Sequence, residues 1–431
     1  MNSNALSRQY LAEDRYVRGI KLNNISLYEV ELQAADLWGA VLSSTNLSGK
    51  NLSGANLSRA DLSQADLSAA DLSHVNLLWT DLRYANLTGA NLEGAYYNEA
   101  TLFPEDFDPS VLGAYAICPG ADLVEANLQA ANLDAVDLTT ANLTGANLHK
   151  TTLFAADLSR ANLREANLSQ ANLWQVDFTE ATLIAADLSR ADLWQAKFTA
   201  ADLTQVDLRQ ASLFGADLSS ANLQDANLQQ ALYNHTTKFP NGFPITDTGA
   251  YLIAPGVSLQ GLDVRWANLS GADLRKVNLC GVDLSAAELR EVNLEGAIYN
   301  PATQFPPDFD PTKAGAYLIA PGMSLQGVDL SGMKLTGIDF RQVRLIEVNL
   351  SQADMWGVNL GGAKLEQVNL SEANLSGANL SGCTLNYVNL TAANLQQADL
   401  TGVILQNTDL SQADIWEANL TGIKGMDAVG G

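Results

Sequence analysis

Residues 51–73 read NLSGANLSRADLSQADLSAADLS, a stretch in which Ala, then Asp or Asn, then Leu recurs every five residues. Taken by its central apolar residue, the repeat falls at every fifth position from Leu22 to Tyr97, Leu123 to Tyr233, Leu259 to Tyr299 and Leu325 to Leu420. Most of the centres are Leu, and the remainder are Tyr, Phe, Val, Met or Ile. Internal repetition of this kind indicates a solenoid rather than a set of globular domains.

A period of five residues fits neither the helical period of about 3.6 nor the strand period of about 2. It does fit a square coil in which each unit forms one side, with its centre and the residue two before it pointing inward. Backbone polar groups must be paired, and stacked coils pair them at roughly 4.8 Å. We therefore predict an all-β stack of about 17 coils, about 80 Å long at that spacing.

This tandem A-(D/N)-L-x-x array resembles the pentapeptide-repeat proteins over about four-fifths of the chain. The resemblance implies a right-handed quadrilateral β-helix. The family is abundant in cyanobacteria, and its large cyanobacterial members look similar to this chain in their inserts as well. The best-understood members resemble B-form DNA in size, shape and charge and bind DNA gyrase. The resemblance thus makes gyrase, or another DNA-binding protein, one expected partner.

Three inserts of equal length interrupt the repeat, and they are copies of one another. Each carries Tyr-Asn, Thr, Phe-Pro, Phe, Gly-Ala-Tyr, Ile and Pro-Gly at matching positions. A flexible linker would be rich in Gly, Ser or charge, whereas these segments are rich in aromatic residues. We expect ordered inserts, and two interpretations stay open: joints between successive stretches of coil, or recognition loops on a rigid scaffold.

The predicted organisation alternates runs of repeats with inserts of 25 residues. The segments are an N-terminal cap of helix-compatible composition (1–20), run 1 (21–97), insert 1 (98–122), run 2 (123–233), insert 2 (234–258), run 3 (259–299), insert 3 (300–324), run 4 (325–420) and a C-terminal tail (421–431). The predicted anchors of the inserts are Tyr97, Phe103, Phe107 and Tyr115 in the first, Tyr233, Phe239, Phe243 and Tyr251 in the second, and Tyr299, Phe305, Phe309 and Tyr317 in the third.

Composition limits the function classes. The 431 residues include 24 Lys plus Arg against 48 Asp plus Glu, a net charge of −24, which argues against direct binding of nucleic acid. No window offers the ~20 consecutive apolar residues of a membrane span, and the N-terminus is polar where a signal peptide would be apolar. We expect a soluble, cytoplasmic protein that does not insert into a membrane. Its expected partners are unidentified proteins that are basic or that bind DNA. The sequence does not indicate an oligomeric state.

Candidate chemical groups are few and scattered. His74, His149 and His235 are far apart in the chain, and no nucleophile stands beside a base and an orienting group. Of the cysteines, Cys383 occupies an inward position and Cys280 an outward one. We interpret the Asp or Asn before each centre as solvated surface. The sequence therefore predicts no enzyme, no cofactor and no metal site.

An aromatic strip is the most informative surface feature of the sequence. Phe154, Trp174, Trp194 and Phe214 each follow a centre of run 2, and each is 20 residues from the next. With four units per coil, the strip lies on one face and spans roughly 15 Å. Exposed Trp and Phe in a contiguous strip can mark a protein interface. A stacking ladder that only stiffens the coil is the alternative.

Two function hypotheses follow. The first is a non-enzymatic protein-interaction scaffold, a rigid acidic rod that binds partners through the strip or the inserts. The alternative is a DNA mimic that binds DNA gyrase or another DNA-binding protein. B-DNA carries one charge per ~1.7 Å, or roughly 47 over 80 Å, while this chain carries −24, spread over all four runs. That comparison favours the scaffold.

Overall fold

The computed structural model describes residues 18–23, 27 and 30–425. In this part the chain forms a parallel β-solenoid of about 16 turns, which confirms the predicted right-handed quadrilateral β-helix with about one turn fewer than expected. Most of the predicted N-terminal cap (residues 1–17) and the end of the tail (residues 426–431) lie outside the described residues.

Each coil takes 20 residues, as the repeat predicts. Asn56 is bridged in parallel to Asn76, one coil further on. The N–H of Leu57 donates to the carbonyl of Asn76 at 2.9 Å, and the N–H of Asn76 donates to the carbonyl of Ala55 at 3.0 Å. Coils above and below therefore satisfy the backbone groups that the short sides cannot pair within themselves.

The inward positions hold the core. Leu57, Leu62 and Leu67 are fully buried, because each stacks along the axis on the central residues of neighbouring coils. Two centres of run 2, Phe178 and Phe198, stack face to face there, with ring centroids 5.1 Å apart and planes 12° apart.

The corners explain the outward residues of the repeat. The residue two after the centre adopts a left-handed backbone even where it is not Gly, as at Arg59 (φ 60°) and Gln64 (φ 60°). The residue before the centre closes the same corner: Asp61 Oδ1 accepts hydrogen bonds from the N–H and hydroxyl of Ser63, at 3.0 and 2.6 Å. Asp and Asn are favoured there because their side chains form such turns, so this position is more than solvated surface.

Regular strands are short. They are β1 (Tyr96–Tyr97), β2 (Tyr115–Ala116), β3 (Leu232–Tyr233), β4 (Tyr251–Leu252), β5 (Ile298–Tyr299), β6 (Tyr317–Leu318), β7 (Ser324–Gln326), β8 (Arg344–Ile346), β9 (Lys364–Glu366), β10 (Thr384–Asn386) and β11 (Ile404–Gln406), with 3-10 helices at Pro109–Leu112 and Ile245–Asp247. β7 to β11 form a five-stranded parallel sheet on one face of run 4. Among the described residues, no helix has the length and apolarity needed to cross a bilayer.

The chain divides into two compact units, Met1–Ala250 and Tyr251–Gly431, and the division falls within the second insert. In the first unit, the cores of runs 1 and 2 are separate clusters, yet Leu78 and Tyr96 of run 1 pack into the core of run 2. In the second unit, Cys280 and Ile298 of run 3 pack into the core of run 4. Cys280 stands at an outward position of its own coil, yet it is buried, because a second run lies against that side.

Candidate interaction surface on the second run

The predicted aromatic strip lies along one side of run 2. The structure brings the rings of Trp174 and Trp194 together, with centroids 5.3 Å apart and planes tilted by 44°. Both indoles are partly exposed, and Phe154, one coil earlier, is 41 % exposed. These three side chains form the surface that we call the aromatic face.

A hydrogen bond to Asp192 fixes the indole of Trp174, and the same carboxylate binds the backbone of Trp194. Asp192 accepts a bond from the indole Nε1–H of Trp174 at one carboxylate oxygen, and from the backbone N–H of Trp194 at the other, at 3.3 Å. Beside the rings, the amide of Gln175 donates to the side-chain oxygen of Gln195 at 3.2 Å. The indole of Trp174 is therefore pre-organised, with less rotamer freedom to lose on binding.

Phe214, the fourth residue of the predicted strip, is placed differently. It is only 3 % exposed. Phe214 offers no surface to a partner.

The aromatic face carries negative charge. Asp134 accepts a hydrogen bond from the backbone N–H of Phe154 at 2.9 Å, and Asp192 binds both Trp174 and Trp194 as described above. The segments that form this side, 132–135, 152–155, 172–175 and 192–195, contain no Lys or Arg. Exposed indoles beside carboxylates suit a partner with apolar and cationic groups.

The predicted anchors of the inserts form a recurring aromatic triad. Tyr97 meets Phe103 edge to face at 5.3 Å, and Phe103 stacks on Phe107 at 5.6 Å. The equivalent triads are Tyr233, Phe239 and Phe243, and Tyr299, Phe305 and Phe309, with centroid distances of 5.4 to 5.7 Å. In the first unit, the triads of both inserts pack against the core of the run that precedes them.

The Tyr-Asn and Thr of the insert motif hold the triad to the preceding coil. In insert 1 the Thr101 hydroxyl donates to the carbonyl of Leu77 at 2.7 Å, and the Asn98 side chain accepts from the backbone N–H of Trp79 at 3.0 Å. The pairs Thr237 with Leu213 and Thr303 with Leu279 repeat the first bond, at 2.8 and 2.9 Å.

The last anchor of each insert, the Tyr of Gly-Ala-Tyr, begins the short strand that pairs with the end of the preceding run. The N–H of Tyr115 donates to the carbonyl of Ala95 at 2.7 Å, so β2 pairs in parallel with β1. Tyr317 begins β6 in the same way, and β6 pairs with β5. Tyr115 packs against the core of run 2, whereas Tyr317 is exposed and Tyr251 is partly exposed.

One surface feature was not predicted from the sequence. In run 1 the guanidinium of Arg59 lies between two indoles, 5.9 Å from the ring centre of Trp38 and 5.0 Å from that of Trp79. The residues are separated by 21 and 20 positions, close to one coil each. That spacing is the signal that would have identified the stack.

The nucleophilic and metal-binding residue types are dispersed. Burial raises the pKa of the Cys280 thiol to about 12, and that of Cys383 to about 12. The His149 ring hydrogen-bonds the Ser169 hydroxyl at 2.8 Å. Within the described ranges, no group of three or more His, Cys, Asp or Glu is placed to hold a metal ion.

Comparison with known structures returns other pentapeptide repeat proteins. HetL from the cyanobacterium Nostoc sp. strain PCC 7120, a protein involved in heterocyst differentiation regulation, is 21 % identical over 98 % of this chain and 96 % of its own, with a TM-score of 0.14. A second pentapeptide repeat protein from Nostoc PCC 7120 is 38 % identical over 30 % of this chain and 84 % of its own, with a TM-score of 0.15. QnrB1, a plasmid-mediated fluoroquinolone resistance protein, is 12 % identical over 55 % and 91 %, with a TM-score of 0.26. A search of curated proteins returns no match.

The family profile described as pentapeptide repeats matches most of the chain. The matched residues are 25–64, 60–96, 121–160, 156–195, 195–230, 258–298, 324–362, 349–386 and 389–424. They cover parts of all four runs and stop short of the middle of each insert. Together with the 20-residue coil, the buried Leu centres and the turn-forming Asp and Asn, this match shows that the chain belongs to the pentapeptide-repeat family.

Proposed function

We propose that this protein is a non-enzymatic, cytoplasmic protein-interaction scaffold that binds a partner through the aromatic face of run 2. The contact between Trp174 and Trp194 carries the proposal. Trp is enriched among the residues that dominate binding energy at protein interfaces. These two indoles are partly exposed and in contact, on a coil whose backbone is paired above and below. Asp192 holds the indole of Trp174 and the backbone N–H of Trp194.

The proposal is tested by capture of partners from a lysate of the native host. Bait proteins are the wild type, the double variant Trp174→Ala with Trp194→Ala, and a control, Trp356→Ala with Trp416→Ala. The control removes two indoles that are 58 % and 60 % exposed on run 4. We expect partners bound by the wild type and the control to be lost from the aromatic-face variant alone. The same partners on all three baits would contradict the proposal.

Thermal unfolding separates this role from a purely structural ladder. An aromatic pair contributes about 0.5–1.5 kcal/mol beyond its buried area, and both indoles are partly exposed. The double variant should therefore unfold within a few degrees of the wild type. A large drop in unfolding temperature for the aromatic-face variant, with no drop for the control variant, would favour the stacking ladder.

The alternative, DNA mimicry toward DNA gyrase or another DNA-binding protein, is supported by the net charge of −24. It is tested separately, in a gyrase supercoiling assay with the purified protein. Inhibition of supercoiling, or protection of gyrase from a drug, at stoichiometric concentration would favour DNA mimicry over the scaffold function. We expect neither effect, because the negative charge is spread over the whole chain and the most acidic run bears the aromatic face.

A further inference from the structure

We infer that the partner element recognised by the aromatic face is an extended, arginine-rich segment whose guanidinium groups lie on the indoles of Trp174 and Trp194. This inference rests on the proposed function and adds the chemistry of the partner. Three observations support it: the charge of the face, the electronic setting of the indoles, and a stack of the same kind inside this chain.

The charge of the aromatic face is complementary to a cation. Asp134 and Asp192 lie on it, and the segments that form it contain no basic residue. The nearest basic residues along the chain are Lys150, Arg190 and Lys197, which stand on the two adjoining sides. The side chains of Arg190 and Lys197 are directed along their own columns. Arg190 donates to the side chain of Gln210 at 2.7 Å, and Lys197 to Asp177 at 3.4 Å.

The indole of Trp174 is polarised for cation binding. Its Nε1–H donates to the Asp192 carboxylate, so the positive edge of the ring is already occupied by an anion. The ring face keeps its negative potential, which attracts a guanidinium lying within about 6 Å of the ring centre. A carboxylate at the ring edge adds a second, charge-assisted contact for the same group.

Run 1 contains an internal version of this contact. Arg59 follows Trp38 by 21 residues and lies over its ring. The residue 21 positions after Trp174 is Gln195, and the residue 21 positions after Phe154 is Gln175. Where run 1 supplies its own guanidinium, run 2 has neutral amides, so a guanidinium on the aromatic face comes from another molecule.

The spacing of the face fits an extended peptide. Coils are spaced at roughly 4.8 Å, so Phe154 and Trp194 are roughly 10 Å apart along the axis. In an extended chain, side chains at i and i+2 point the same way about 6.7 Å apart. Two Arg at that spacing cover the face, and Arg is favoured over Lys because its planar guanidinium stacks on aromatic rings.

The test uses fluorescence anisotropy with a labelled peptide of about eight residues that alternates Arg and Gly, at about 0.15 M salt to screen general attraction to an acidic protein. Matched peptides replace each Arg by Lys or by neutral citrulline. We expect the Arg peptide to bind most tightly, the Lys peptide more weakly, and the citrulline peptide not at all. We expect Trp174→Ala with Trp194→Ala to weaken binding about tenfold, a loss within the range of cation–π contacts.

Two matched controls isolate the face. Trp356→Ala with Trp416→Ala removes as many exposed indoles at the same net charge and should leave binding unchanged. Asp192→Asn keeps an oxygen that can accept the N–H of Trp194, and should weaken binding several-fold. Asp187→Asn makes the same change of charge on the adjoining side, where Asp187 accepts from Ser189 N–H at 2.8 Å, and should have little effect.

The inference would be overturned by Arg-peptide binding that is equal in all variants, or by no binding at this salt concentration. If lysate partners still depend on Trp174 and Trp194 while the Arg peptide fails to bind, the scaffold function is supported and the inference of an arginine-rich partner is wrong. If the peptide binds through these residues but no lysate partner depends on them, the inferred preference of the face for arginine is supported and the scaffold function is not.

Discussion

The phenol oxygen of Tyr96 accepts a hydrogen bond from the backbone N–H of Asn132 at 3.0 Å, across 36 residues. Tyr96 belongs to the last coil of run 1, while its ring is buried in the core of run 2. In the second unit, Ile298 holds the matching position and packs into the core of run 4. At inserts 1 and 3, one stretch of coil therefore ends beside the start of the next, and the side of the first closes the core of the second.

Replacing Tyr96 by Phe tests the strength of this joint. Tyr96→Phe keeps the buried ring and removes the hydrogen bond to the N–H of Asn132, a bond of a kind that contributes about 0.5–1.5 kcal/mol. We expect a lower free energy of unfolding in urea, together with faster hydrogen exchange at the start of run 2. Tyr84→Phe is the control, since Tyr84 is 79 % exposed and its hydroxyl faces solvent. Equal stability of the two variants would show that the hydrogen bond does not hold the joint.

Much of the fold follows from the repeat itself. A period of five with one Leu and one Ala per unit determines which residues point inward, because each coil side has the same length. Buried Leu57 and the left-handed corner at Arg59 both follow from that period. The aromatic residues of the inserts likewise indicated ordered segments rather than linkers.

The period cannot show what lies against the outside of a coil. Tyr96 and Cys280 stand at outward positions of their units, yet both are buried because a second run packs on that side. Phe214, counted from the sequence as part of an exposed strip, is also buried. The tilted contact of Trp174 with Trp194 and their bonds to Asp192 depend on rotamers, which the spacing alone leaves undetermined.

Gly315 is expected to tolerate no side chain. Its φ is +95°, and an added Cβ would lie 2.9 Å from Cα of Glu295, a contact with backbone that cannot move aside cheaply. Gly315→Ala should lower the free energy of unfolding of the second unit by more than the ~1 kcal/mol that positive φ alone costs Ala. Gly332→Ala is the matched control, since Gly332 also has positive φ (+67°) and open space around it. Urea unfolding of both variants checks the difference, and equal losses would exclude the close approach as the cause.

Asp329 is expected to make the link between runs 3 and 4 sensitive to acid. Its carboxylate accepts a bond from Lys276 Nζ at 2.6 Å, across 53 residues. Partial burial on its own would raise the pKa of Asp329, but hydrogen bonds from Lys276 and Ser331 outweigh it and hold the pKa at about 2, below the ordinary 3.8. A carboxyl whose pKa is lowered by folding stabilises the protein above its ordinary pKa, and this stabilisation is lost as the pH falls toward 2.

The measurement compares the wild type with Asp329→Asn by urea unfolding between pH 7 and pH 2. Asn keeps an oxygen that can accept the N–H of Ser331, which Asp329 binds at 3.1 Å. We expect the variant to be less stable at pH 7, and the difference to shrink below about pH 4 and disappear near pH 2. Adding Lys276→Met to Asp329→Asn should cost little more than Asp329→Asn alone. A difference that is constant across this range of pH would mean that the ion pair contributes nothing.

The three cysteines should report separately on the opening of a joint and on the unfolding of a coil. Cys383 is fully buried at an inward position of run 4, and its thiol donates to the carbonyl of Leu360 at 3.0 Å. Cys280 is buried where the core of run 4 covers run 3, and Cys118 is partly exposed. With pKa values of about 12 for Cys280 and for Cys383, about one thiol in ten thousand is ionised at pH 8, and the thiolate is the reactive form.

Alkylation with iodoacetamide at pH 8, followed by peptide mass spectrometry, should therefore modify Cys118 first and spare the other two in the native protein. In increasing urea, we expect Cys280 to react at a lower concentration than Cys383, because separating run 4 from the side of run 3 exposes Cys280 while each coil stays intact. Cys118→Ser removes the fast-reacting thiol and should leave this order unchanged. Simultaneous labelling of Cys280 and Cys383 would instead mean that the joint and the coil unfold as one cooperative unit.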